Sequence, residues 1–119
     1  MLQSATLRGA DAQLAVHSLR MLVHRYPDNE YYRETLMFAL MAHSEIAEAL
    51  TQAEILENRP ESSHERHFNV AQAFWHGGDR QRAYSHFALA HKLAKTDEER
   101  LDVISMVEYL REQDELLDD

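Results

Sequence analysis

The chain contains no cysteine, which excludes disulfides and thiolate chemistry and fits a cytosolic or a periplasmic setting equally. Breakers are scarce, two prolines and three glycines in 119 residues, which favours long helices joined by short turns over an all-β fold. No apolar run approaches the roughly 18 residues that a membrane-spanning helix needs, so no membrane insertion is expected. The first residues, Met1 to Arg8, lack a basic stretch followed by a long apolar core, and no secretory signal is visible. Positive charge is also short: 12 basic residues against 21 acidic leave a formal charge of −9. Such a surface repels phosphate backbones, so nucleic acid is not an expected partner; apolar or basic protein segments are. The expected location is cytoplasmic, with the periplasm or a domain of a larger membrane-associated protein as alternatives. An apolar fraction of 45 % is enough for one packed domain.

What is present is a step of 34 residues. Ala15, Ala49 and Ala83 are spaced by it, and so are Leu2, Leu36, Val70 and Ile104. Leu19, Ala53 and Phe87 form a further ladder, as do Leu22, Leu56 and Ala90. Leu40 matches Phe74, and the small residues Ala10, Ser44 and Gly78 keep the same phase. A period of 34 marks a helix–turn–helix unit that buries its apolar face by stacking on its neighbours. Small residues on the ladder let paired helices approach closely.

Apolar periodicity predicts helices over about 11–25, 30–42, 45–57, 63–76, 80–94 and 97–112. Asp11, Ser44 and Asp79 are the expected caps of the first, third and fifth, and Ser62/Glu65 and Thr96/Glu99 the expected capping boxes of the fourth and sixth. Pro27-Asp28-Asn29, Arg59-Pro60-Glu61 and Gly77-Gly78-Asp79 are the expected breaks. The last helix carries Leu101, Ile104, Val107 and Leu110, and the acidic stretch 113–119 is expected to be a disordered tail.

These residues resemble the tetratricopeptide repeat. Residues 64–97 match best, through Val70, Ala71, Phe74, Gly78, Ala83, Phe87 and Ala90; 30–63 follow through Leu36, Leu40, Ser44, Ala49, Ala53 and Leu56. Residues 1–29 supply part of a first repeat, and 98–112 a capping helix. Met37 stands in place of a small residue, Arg33 and His67 where the family favours Trp, and Pro60 one residue early against the phase of Pro27. The resemblance implies an all-α, right-handed solenoid of antiparallel helix–turn–helix repeats, residues 1–112 forming one domain.

It also implies a concave groove lined by the first helix of each repeat. Carried onto this chain, the ligand-facing positions are Tyr31, Glu34, Thr35, Phe38, Met41 and Ala42, then Glu65, Phe68, Asn69, Gln72, Trp75 and His76. The capping helix adds Glu99, Asp102, Val103, Met106, Tyr109 and Leu110. Phe38, Met41, Phe68, Trp75, Met106 and Tyr109 are not needed for the apolar ladders, so they are expected at the surface, Trp75 included. Aromatic and Met surface suits an apolar or amphipathic peptide, and Glu34, Glu65, Glu99 and Asp102 give it an acidic rim. The expected role is that of an adaptor, chaperone or assembly factor; a scaffold segment that self-associates through its incomplete first repeat is the alternative. A clamp for a chaperone's carboxylate tail is not expected, because Glu34, Thr35, Glu65, Phe68 and Val103 stand where that subtype needs basic residues.

Eight histidines raise the question of a metal, but no set of three or four convergent ligands is visible. His64 and His67 lie three apart, without the spacing of a zinc hydrolase helix. There is no nucleophile motif or Gly-rich phosphate loop. No enzyme activity, metal or cofactor is expected.

Overall fold

With so few breakers, the described residues fold into six helices: α1 Leu2–Arg25, α2 Glu30–Ala42, α3 Ile46–Glu57, α4 His64–His76, α5 Arg80–Leu93 and α6 Asp97–Asp118. The computed structural model describes residues 2–60 and 63–118, with side chains from residue 11 to 117, and the described residues contain no strand. Each helix packs on the next, and α2 also touches α4.

The 34-residue step reappears in the backbone. α2 and α4 begin and end one step apart, and α3 and α5 begin one step apart. The turns between them are copies. Glu45 N–H donates to the Leu40 carbonyl (2.8 Å) and Ser44 N–H to that of Met41 (3.1 Å); one step on, Asp79 donates to Phe74 (3.0 Å) and Gly78 to Trp75 (3.1 Å). This pair of bonds closes a helix C-terminus around a left-handed residue. Ser44 (φ 62°) and Gly78 (φ 91°) hold that position. Ser44 therefore does not cap α3; the capping position is Glu45, whose side chain makes no cap bond.

Elsewhere caps do fix the helix starts. Asn29 Oδ1 accepts from Tyr32 N–H (3.0 Å) and Asp79 Oδ1 from Arg82 N–H (3.1 Å). Ser62 lies outside the described residues; the cap of α4 is Ser63, whose Oγ accepts from Arg66 N–H (3.1 Å). Thr96 Oγ1 accepts from Glu99 N–H (3.1 Å), and the Glu99 carboxylate reaches back to the N–H of Lys95 (2.8 Å).

Two helices outrun their expected limits. Asp11 is not a cap but lies inside α1, because Ala5, Ala10 and Ala12 favour helix and no proline interrupts it; Gly9 costs only about 1 kcal/mol. α6 continues through 113–118 instead of fraying, since that stretch lacks Gly and Pro and Arg80 holds Asp114 through two bonds of 2.8 and 2.9 Å.

The core follows the ladders where a rung has helices on both sides. Leu36 and Val70, Leu40 and Phe74, Ala49 and Ala83, Ala53 and Phe87, and Leu56 and Ala90 are all buried. At the ends the rungs open. Ala15 is exposed, Ile104 is 44 % exposed and Leu101 60 %, because each lies on the outer side of a terminal helix.

Candidate functional site

The positions where Arg33 and His67 replace the expected Trp hold buried polar pairs. Arg33 Nη1 donates to Gln52 Oε1 (2.7 Å), tying α2 to α3. One step later His67 Nδ1 meets His86 Nδ1 at 2.9 Å, tying α4 to α5. His86 Nε2 lies 2.7 Å from the Glu57 carboxylate, which also takes Arg82 as an ion-pair partner. Since Glu57 accepts from His86 Nε2–H, the His86 Nδ1 is the acceptor and His67 Nδ1–H the donor, with both rings neutral. His86 is sandwiched by aromatic contacts, stacking on Phe74 (5.6 Å between centroids) and on His67 (5.1 Å). Burial pushes the pKa of both histidines down, helped by His86 and Arg66 at His67 and by Arg82 at His86. This network clamps three helices. The odd residues at one phase of the repeat pointed to it; His86 and Glu57 carried no sign in the sequence.

The residues expected in the groove divide into three groups. Phe68, Met106 and Tyr109 come together with Asp102 and Ser105 around a cleft of about 350 Å³ between α4 and α6. The Phe68 ring is held by a stack on His64 (5.7 Å) and an edge contact with Phe87 (6.2 Å), while Tyr109 is 56 % exposed. Glu34 on α2 is half-buried; burial, and then the charge of Glu65, raise its pKa above the ordinary carboxylate value. Glu65 and Glu99 border a second, smaller cleft of about 240 Å³ with His64. Lys95 also lines this smaller cleft, and of the four acidic side chains expected at the rim only Asp102 lines the larger one.

A second group lines neither of these clefts. Phe38 and Met41, like Phe68 and Met106, are half-buried and pack on the core with one side, so the ladders do use them. Gln72 turns its amide back onto the Phe68 carbonyl (3.2 Å). Tyr31 is exposed at the start of α2 beside Tyr32 (6.2 Å), in an aromatic group that Tyr26 extends. Thr35 likewise bonds back to the Tyr31 carbonyl (2.7 Å).

The third group is buried. Trp75 is 3 % exposed, and Val103 and Leu110 are also core residues. Trp75 is not surface because Arg80 covers its face at 4.5 Å and Tyr84 meets it edge-on at 5.3 Å. Arg80 also bonds to the Trp75 carbonyl and pairs with Asp114. The Trp therefore locks the end of α4 to α5 and α6, a role hidden in the sequence because Asp114 lies in the presumed tail.

No protein-family model, curated protein or solved structure matches this chain. Among the described residues, no group of three His, Asp or Glu is arranged to hold a metal ion, and no helix is long and apolar enough to cross a membrane.

Proposed function

We propose that the chain is a tetratricopeptide-like interaction module that grips an apolar or amphipathic peptide segment with basic flanks. It acts without catalysis, metal or cofactor, as an adaptor, chaperone or assembly factor. Three repeated features support the architecture: the helix starts, the left-handed turn residues and the buried inter-helix polar pair, all 34 residues apart.

The observation that carries the function is the α4–α6 cleft. Phe68, Met106 and Tyr109 offer aromatic and thioether surface around an opening of about 350 Å³, and Asp102 stands in its wall. Rigid aromatics supply contact area at low entropic cost, and Met adapts to varied apolar side chains. Acidic neighbours select a basic flank and speed encounter. Binding of fluorescent amphipathic peptides with basic, neutral or acidic flanks tests this. Basic-flanked peptides should bind best, and Tyr109→Glu, at an exposed position, should weaken binding at least tenfold with unchanged helicity. Equal binding by the variant would remove the cleft from the account.

A further inference from the structure

The two ends of the helix array are complementary halves of one repeat. α6 begins 33 residues after α4, as α4 begins 34 after α2, so it occupies the place of a repeat's first helix. α1 is in phase with α3 and α5, the second helices, through Ala15, Ala49 and Ala83. One repeat earlier, the α4 face under α5 is sealed: Val70, Ala73 and Phe74 are buried. The corresponding α6 face bears Ile104, half-buried Val107 and exposed Glu108, and opens into a cleft of about 370 Å³ between α5 and α6. On α1 the matching side is equally bare. Leu14 and Met21 are 63 % and 61 % exposed, and Ser18 and Leu22 line an open concavity along that helix. Leu101 stands one step after His67, and Ser18 one step before Gln52. The two positions that elsewhere form a buried pair are thus both exposed.

We infer that copies of this chain associate head to tail, α1 of one copy docking antiparallel on α6 of the next to complete the repeat that α6 opens. Two further observations select a second copy as the occupant. The overhangs match: α6 has 22 residues where α2 and α4 have 13, and runs on at its C-terminal end; α1 has 24 where α3 and α5 have 12 and 14, and runs on at its N-terminal end. In the register of the other helical hairpins those ends lie side by side. The charges also match: α6 carries nine carboxylates against two arginines, α1 three arginines against one aspartate. Small Ser18 and Ala15 would receive Leu101 and Ile104, the large-against-small fit of the internal ladders. A head-to-tail contact is heterologous, so it propagates into a chain or closes into a ring.

Light scattering or sedimentation of the full chain over a dilution series tests this. Wild type should grow beyond a dimer with concentration, and less so at high salt. Ser18→Glu/Met21→Glu and Leu101→Glu/Ile104→Glu, all at exposed positions, should each be monomeric. Their equimolar mixture should form a 1:1 dimer and nothing larger, because each variant keeps one intact face; that dimer also certifies that both are folded. A wild type that stays monomeric at all concentrations overturns the proposal. So does a mixture that remains monomeric, or a single variant that still assembles, as Leu101→Glu/Ile104→Glu would through a symmetric α1–α1 contact.

Discussion

At the scale of single residues, the informative positions are those that break the repeat's chemistry while keeping its phase. His67 and His86 occupy the places of Arg33 and Gln52, and both pairs bridge a helical hairpin. The histidine pair is the one that titrates. Both rings are held below their ordinary pKa of 6.5, among Glu54 and Glu57 on α3, Arg66 on α4 and Arg82 on α5. The unfolded chain takes up protons near that value and the folded chain does not. Stability is therefore fully present above pH 6.5 and falls as pH drops below it, by up to about 1.4 kcal/mol per pH unit for each histidine that stays neutral. The double variant His67→Arg/His86→Gln, which copies the other repeat, should fold and lose this dependence in thermal melts across a pH series. An undiminished fall would place the titrating groups elsewhere.

At the scale of elements, the same ladder has different meanings along its length. Ala83 is fully buried between helices, and Ala15 is exposed on the outer side of α1. Ala83→Leu should therefore cost about 1–3 kcal/mol by overpacking, whereas Ala15→Leu in dilute solution should stay within about 0.5 kcal/mol. Chemical denaturation reads both, and a similar cost at the two positions would contradict the packing described. Periodicity located the helices because the apolar spacing and the breaks Pro27 and Gly77-Gly78 act locally. It missed the extent of α1 and α6, since Asp11 resembles a cap and the hold on Asp114 comes from Arg80, far away in sequence. It placed Trp75 at the surface for the same reason: Arg80 and Tyr84 cover it from another helix. Of the expected groove, Phe68, Met106 and Tyr109 do meet in one cleft. A resemblance fixes which way a helix position points, but not what neighbouring side chains lay over it.

At the scale of the molecule, the faces of the helix array are proposed to do different work: the α4–α6 cleft takes a peptide, and the outer sides of α1 and α6 meet other copies. The methionines sample these faces separately. Met106 stands in the cleft, Met21 is 61 % exposed on α1, and Met37 is fully buried. Methyl spectra of methionine-labelled protein, titrated with a basic-flanked amphipathic peptide in dilute solution, test the central claim most directly. The account predicts a saturable shift of the Met106 methyl while those of Met21 and Met37 hold still. A titration that moves Met21 and leaves Met106 in place, or moves neither, would contradict it.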